Sequence, residues 1–339
     1  MHISAQQLDL KLTTPFRISR GVQDVSPNVI VQVHSRDAKG IGEASPAEYY
    51  GESPESVLAC IELFRHDIET LDNPFAIEDI LQRLDATMGL NPSAKAAVDM
   101  ALYDLVGKQL GVPVYKLLGL NAANTPSTSF TIGLDSPAQM AKKAAAAKDY
   151  PILKVKLGTK HDLDIVKAIR DVSGAVIRVD ANAAWTAKEA IQKITALAPY
   201  NIEFVEQPVA AHDLKGLKLV HDNVPMPVIA DESCVVVEDV PRVAECVDGI
   251  NIKLMKCGGI RNALKMIHVA RAHSLSVMIG CMIESSLAIT AAAHLTPLVD
   301  YADLDGHLLI ENDPYEGVRV EQGKLILPDG PGLGVQERR

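Results

Sequence analysis

The chain of 339 residues is short of several things, and each shortage removes a class of function. Its five cysteines, Cys60, Cys234, Cys246, Cys257 and Cys281, include no C-x-x-C pair and no zinc-like spacing. They read as reduced, mostly buried thiols, not as a disulfide framework or a zinc site. No apolar run is long enough to span a bilayer. The opening MHISAQQLDLKL alternates like a strand where a signal peptide carries an apolar block, so the expected location is cytoplasmic. Basic residues are outnumbered, 33 Lys+Arg against 43 Asp+Glu. A net charge of −10 and a pI near 5.5 argue against a nucleic-acid or anionic-membrane partner. No G-x-G-x-x-G opens a helix after a strand, so the usual dinucleotide fingerprint is missing. What is present is ordinary: 47% hydrophobic and 22% charged residues, enough for a sizeable core in about two domains.

The first part, residues 1–120, reads as a small α+β domain. Residues 3–13 and 28–35 alternate or run apolar as strands, and GIGEASP follows as a third after Lys39-Gly40. Helices are expected from Ser53-Pro54, near 76–86, and from Asn91-Pro92-Ser93 through Gly107. Proline in the first turn is a helix-start signal. Residues 121–310 change pattern. Eight runs rich in β-branched residues recur: STSFTIGL, ILKVKLG, VIRVDAN, IEFVEQP, PVIADES, GINIKLM, SVMIGCM and YADLDGH. Ala-rich helical stretches separate most of them. Strand–helix alternation implies parallel strands with crossover helices, and eight is the count of a (β/α)8 TIM-type barrel. The segment 311–339 is Gly/Pro-rich with one strand-like run, KLILP, and is expected to return to the capping domain.

A barrel places its chemistry at the C-terminal ends of the strands. Those ends carry Lys154 and Lys156, Asp180 and Asn182, Glu206, Asp231 with Glu232, Lys253, and Asp303 with Asp305. Residues two apart on a strand share a face, so each pair is expected to point into the barrel mouth together. One such charge alone reads as a solvated rim residue. Complementary charges on six strand ends do not. Asp180, Glu206 and Asp231 lie about one strand-plus-helix unit apart, and buried acids on neighbouring strands repel unless a cation sits among them. Oxygen ligands of this kind suit Mg²⁺, with Mn²⁺ as the alternative. Lysines on the second and sixth strands lie nearly opposite across an eight-strand ring. That suits removing a proton from one face of a carbon and returning it on the other. A lysine base must be partly neutral near pH 7, so its pKa is expected to fall to about 7–8.

Together, Lys154-x-Lys156, Asp180-x-Asn182, Glu206-Gln207-Pro208, Asp231-Glu232-Ser233 and NIKLMKCGG resemble the enolase superfamily in its muconate-lactonizing subgroup. The stretch AAVDMALYDLVGKQLGVPVYKLLG resembles that family's helix between the two domains. The resemblance implies an α+β cap over a modified barrel and one Mg²⁺ on Asp180, Glu206 and Asp231. It further implies Lys156 and Lys253 as the acid/base pair, Lys154 beside the substrate carboxylate, and Asn182 and Glu232 in support. Of the two lysines in NIKLMKCGG, Lys253 matches the catalytic position. Lys256 is expected beyond the strand, or supporting the site from outside it.

Within that subgroup, Asp303-Leu304-Asp305 discriminates. Two carboxylates suit a free α-ammonium group and not an N-succinyl or muconate anion. The pair resembles the mark of dipeptide epimerases. CMIES, Cys281 to Ser285, resembles the same group, with Glu284 either touching substrate or supporting it by a hydrogen bond. The cap offers Phe16, Arg17 and Arg20 in PFRISRGVQD, and EYYGES, around the side chain being inverted. Arg20 matches the position that reads an acidic side chain in L-Ala-D/L-Glu epimerases; its alternative is a solvated loop arginine. The expectation is a Mg²⁺-dependent L-Ala-D/L-Glu dipeptide epimerase of murein peptide metabolism, with a small-molecule dipeptide partner and a homo-oligomeric state. The competing readings are an N-acylamino acid racemase or o-succinylbenzoate synthase, an epimerase for hydrophobic or cationic dipeptides, a Schiff-base aldolase, and a non-catalytic binding protein.

Overall fold

The computed structural model describes residues 1–35 and 38–338. Strands β1 (His2–Ile18), β2 (Gly21–Ser35) and β3 (Ala38–Ala44) form an antiparallel sheet in that order. The β1–β2 hairpin reaches further than the sequence pattern suggests. PFRISRGVQD, expected as loop, continues the ladder with Phe16 opposite Gln23 and Arg17 opposite Val22, after an irregularity between Lys11 and Phe16. Phe16, Ile18, Val22 and Val25 suit a pleated surface, which outweighs the polar residues between them. Ser19 and Arg20 form the turn at the tip.

Helices α1 (Pro54–Leu71), α2 (Ile77–Thr87) and α3 (Pro92–Leu110) start where the sequence signals them. Ser53 caps α1 in a reciprocal bond with Ser56, and Pro92 opens α3. The sheet and these helices enclose a core that includes Val29, Val31, Phe64, Ile68 and Leu102. Gly40 and Gly42 let β3 lie directly on α3, because a Cβ at either would overlap the carbonyl of Ala101 or Ala97.

After α4 (Val114–Leu117), each of the eight runs supplies one parallel strand: β4 (Phe130–Ile132), β5 (Ile152–Lys156), β6 (Val176–Asp180), β7 (Ile202–Glu206), β8 (Val228–Ala230), β9 (Gly249–Lys253), β10 (Ser276–Gly280) and β11 (Tyr301–Asp303). They pair in sequence order. The ring closes where Ser129 N donates to Ala302 O at 3.2 Å. Crossovers α5 (Pro137–Ala146), α6 (Asp162–Arg170), α7 (Ala187–Leu197) and α8 (Leu214–His221) are full helices. The next, α9 (Val240–Val243), is one turn, entered through Asp239, whose carboxylate accepts from Val235 N and Val236 N. Then come α10 (Leu254–Cys257), α11 (Ile260–Ala272) and α12 (Ser286–Ala293). None of the described helices is long and apolar enough to cross a membrane.

Strand residues divide by parity. One set, such as Leu153, Val155, Ile177, Val179, Ile250 and Ile252, packs outward in the main core. The other set fills the barrel. Phe204, Ile229 and Met278 form a lower apolar layer with Tyr301. The Arg178 guanidinium lies 5.2 Å from the Phe204 ring centroid and 5.1 Å from that of Tyr301. Two residues on from Phe204, Ile229 and Tyr301, the inward residues are Glu206, Asp231 and Asp303.

The C-terminal segment touches both units. Strands β13 (Arg319–Glu321) and β14 (Lys324–Ile326) pair below the barrel, and Thr128 N donates to Gly323 O at 2.8 Å. β12 (Tyr315–Glu316) pairs with β15 (Gln336–Glu337). Leu333 N donates to Asp104 of α3 at 2.8 Å. His294, fully buried, fixes this return: Nδ1 accepts from Tyr115 N at 3.2 Å, and Nε2 lies 3.1 Å from Leu333 O. Burial pushes its pKa down to about 4. The unfolded imidazole takes up a proton near pH 6.5 and the folded one does not. Its contribution is therefore complete above about pH 6.5 and is lost as pH falls toward about 4, by up to about 3 kcal/mol. Thermal melts at pH 7 and pH 5 should show a smaller acid-side drop in Tm for His294→Gln than for the unaltered protein. An equal drop excludes this histidine as a source of acid sensitivity.

Candidate active site

The strand register sets the upper layer. Lys156 pairs with Asp180 and Asp180 with Glu206 across β5, β6 and β7. Gly280 pairs with Lys253 on one side and Asp303 on the other. Asp180, Glu206 and Asp231 are completely buried, and Lys154, Lys156 and Lys253 are each at most 8% exposed. Lys156 Nζ donates to Asp180 Oδ2 at 2.6 Å, and Lys253 Nζ donates to Asp231 Oδ2 at 2.9 Å. Lys154 Nζ reaches three acids: Asp303 at 2.6 Å, Glu206 at 2.7 Å and Asp180 at 3.2 Å.

The electrostatics show an excess of acid. Burial raises Glu206 and Asp305 to about 7 each, with Asp180 and Asp303 respectively adding to the rise. Burial acts the same way on Asp180, but Lys156 and Lys154 overcome it and hold that carboxyl below its ordinary range. Asp231 is likewise held well below that range by Lys253 and Lys256 against the effect of burial. Lys253 stands above its ordinary value: burial opposes its charge, and Asp231 more than compensates. The expected fall in lysine pKa is therefore not what this arrangement produces for Lys253, because an acid holds its proton.

The acids fit a divalent cation. Among the described residues, no three His, Cys, Asp or Glu side chains are already drawn together as a metal cluster, since lysines stand against the acids. The donor set itself is hard oxygen at three consecutive strand ends, the chemistry Mg²⁺ prefers. Glu206 Oε2 lies 2.7 Å from the Lys154 ammonium without hydrogen-bond alignment, and Asn182 Oδ1 is likewise buried with no hydrogen-bond partner.

Around this core the sequence-expected residues take up distinct places. Asn182 braces Asp180, its N donating to Oδ1 at 2.8 Å and its Nδ2 to Oδ2 at 3.2 Å. Arg20 Nη1 donates to Glu232 Oε1 at 2.7 Å and to Asn182 O at 2.9 Å, and its guanidinium stacks on Tyr49. Arg20 is thus a paired hairpin-tip residue and not a freely solvated one. Asp303 accepts from Ser129 Oγ at 2.5 Å, and Asp305 accepts from Thr131 N at 2.6 Å. Lys256, on α10, donates to Asp231 Oδ1 at 2.5 Å and to the carbonyls of Asp231, Cys234 and Asn251. Glu284 accepts from Met282 N at 2.8 Å, is 2% exposed, and is pushed by burial up to about 8. It stands behind the cavity wall and not among the residues lining it.

A cavity of about 580 Å³ opens over the upper layer, lined by Lys154, Lys156, Lys253, Asp303 and Asp305 below and by Phe16, Arg20, Tyr49 and Tyr50 of the cap above. Two supporting residues lie within the motifs quoted above but had no role assigned to them from the sequence. Asn251 Nδ2 donates to Glu206 Oε1 at 2.8 Å. Gln207 Oε1 accepts from Asp231 N at 2.9 Å and Ser233 N at 3.0 Å. Parity could have found Asn251, two residues before Lys253; Gln207, with φ at 35°, departs from strand geometry and parity does not reach it.

Comparison with known proteins agrees with this geometry. Residues 3–119 match the N-terminal domain of the mandelate racemase / muconate lactonizing enzymes, and residues 137–339 match the enolase C-terminal domain-like family. The L-Ala-D/L-Glu epimerase of Bacteroides thetaiotaomicron is 44% identical over 97% of this chain and 86% of its own. The crystal structure of a dipeptide epimerase from Enterococcus faecalis V583, complexed with Mg and L-Leu-L-Tyr, superposes with a TM-score of 0.95 at 40% identity, covering 99% of each chain. An N-succinyl Arg/Lys racemase from Bacillus cereus superposes at 0.94 with 30% identity, over 100% of this chain and 98% of that one. With both domains matched and strand-end acids and lysines in one cavity, the chain belongs to the mandelate racemase / muconate lactonizing family of the enolase superfamily.

Proposed function

We propose that the protein is a Mg²⁺-dependent dipeptide epimerase that inverts the α-carbon of the C-terminal residue, with L-Ala-D/L-Glu as its substrate. One observation carries the reading. Lys156 and Lys253 enter one cavity from either side of three buried acids, and Asp303 and Asp305 stand in the same cavity. Asp180, Glu206 and Asp231 would hold the metal, which supplies positive charge for the substrate carboxylate as its α-proton leaves and occupies the acid that keeps Lys253 ionised. Lys156 removes the proton from one face of the carbon, and Lys253 delivers one to the other; for the opposite enantiomer the roles exchange. Lys154 faces the substrate carboxylate. Asp303 and Asp305 hold the ammonium group by charge-assisted hydrogen bonds. The cap closes over the side chain and excludes water.

For the side chain, support comes from Arg20, the one cation that the cap contributes to the cavity lining among the described residues, and from the L-Ala-D/L-Glu epimerase relative. A second reading, a hydrophobic C-terminal residue, is favoured by one specific fact: Arg20 is already bonded to Glu232, among Phe16, Ile18, Val22 and Tyr49. Proton NMR in D₂O with Mg²⁺ separates them, using L-Ala-L-Glu, L-Ala-L-Leu, L-Ala-L-Lys and N-succinyl-L-Phe. Loss of the Glu α-proton signal with growth of the diastereomer is the expected result. Exchange confined to L-Ala-L-Leu moves the specificity, and exchange confined to the N-succinyl compound overturns the dipeptide reading. In the same assay the double change Asp303→Asn/Asp305→Asn should lower kcat/KM for the dipeptide by about a hundredfold or more, the cost of losing hydrogen bonds to a charged group. Unchanged kcat/KM in that variant removes both acids from substrate binding.

A further inference from the structure

Four polar side chains of the cap sheet converge on one barrel loop. Ser26, Asn28, Glu43 and Ser45 are each at most 3% exposed. Ile283 O accepts from Asn28 Nδ2 at 3.0 Å and Ser45 Oγ at 3.0 Å, and Ser26 Oγ lies 3.2 Å away. Glu43, on β3, completes the grip. Its Oε1 accepts from Asn28 Nδ2 at 2.7 Å and Ser285 N at 3.0 Å. Its Oε2 accepts from Ser285 Oγ and from Ala288 N at 3.3 Å, so it joins Asp313 and Ser285, which take Ser286 N and Leu287 N, in serving the first turn of α12. Both oxygens face only donors.

The far side of that loop is functional surface. Cys281, Met282 and Ile283 line the cavity. Gly306, which follows Asp305, lies so close that a Cβ there would meet Met282 O at 2.6 Å and Glu284 N at 3.1 Å. Cys281 Sγ donates to Asp303 O at 3.3 Å. The turn bearing Asp303 and Asp305 therefore rests on a loop that the cap holds in place.

We propose that Glu43 is a positioning residue: it clasps loop 281–285 against the turn 303–306 and so sets the geometry of the subsite for the substrate's ammonium group. The inference rests on the dipeptide reading above. It touches neither lysine nor metal-binding acid, which stand on β5, β6, β9 and the ends of β7 and β8. Glu43→Gln keeps the shape but turns an NH₂ group toward donors. It should raise KM for L-Ala-L-Glu by about tenfold, the effect of one lost charged hydrogen bond, with kcat within about twofold of the unaltered enzyme. Asn28→Ala, which removes one strand of the same clasp, should show the same signature more weakly. A purely structural lesion lowers the active fraction, so it reduces kcat and leaves KM alone. That pattern, or an unchanged KM in both variants, overturns the proposal. Amide hydrogen exchange supplies a readout independent of turnover: exchange in 281–288 should quicken in Glu43→Gln while β5 to β9 stay protected. Unaltered exchange in 281–288 also overturns it. If the unaltered enzyme inverts no dipeptide, the functional reading fails, and the clasp is then judged on exchange alone.

Discussion

Lys253→Ala and Lys156→Ala should each lower epimerisation by about a thousandfold or more, near the upper range for losing a positioned general acid or base. The two losses should differ in hand. Each lysine faces the α-carbon from one side, so each variant should still exchange the α-proton of one diastereomer with D₂O and fail with the other. Proton NMR started separately from the L,L and L,D dipeptides reads this directly. Normal epimerisation by both variants excludes a two-base mechanism, and loss of exchange with both diastereomers in each variant excludes independent lysines. The folded state should survive either change. Asp180 keeps Lys154 when Lys156 goes, and Asp231 keeps Lys256 when Lys253 goes.

Asp231→Asn should stop turnover and also weaken the fold. The carboxylate is completely buried and takes ammonium groups on both oxygens, Lys253 at 2.9 Å and Lys256 at 2.5 Å. Removing one partner from a buried ion pair costs about 3–5 kcal/mol, because the remaining charge is left without compensation. The same change takes one oxygen ligand from the cation site. Two measurements separate these effects: the Tm without added metal should drop, and the rise in Tm on titration with Mg²⁺ should vanish. Retained Mg²⁺-dependent turnover rules out Asp231 as a ligand. An unchanged Tm shows that Lys256 finds adequate partners in the three carbonyls alone.

Much of this was legible in the chain. Strand ends could be read because β-branched runs stop at a charged residue, and parity then placed Lys154 with Lys156 and Asp303 with Asp305. Lys256 was correctly separated from Lys253, since three residues on, past the strand end, the chain has turned into α10. The hairpin reaching Arg20 was less legible, because its pairing continues through an irregularity that no local pattern announces. Contacts between distant side chains were not legible at all. Nothing in GINIKLM says that Asn251 meets Glu206, and nothing in GIGEASP says that Glu43 leaves its own domain to serve α12. The hold of Asp231 on the Lys253 proton was not legible for the same reason. It depends on how many acids converge, and that is a property of the ring and not of any one strand.

The alternation inside the barrel also governs how the gene for such a protein can change. Wall and working surface are written on the same short strands in opposite phase: Leu153 and Val155 belong to the outer packing, while Lys154 and Lys156 belong to the cavity. Substitution can alter one phase without disturbing the other. Insertion of a single codon within a strand cannot, because every later side chain in that strand changes sides at once. Length variation is therefore confined to the connections between strands. The loops around the mouth are free to diverge in length, and the ring beneath them is held to a fixed count.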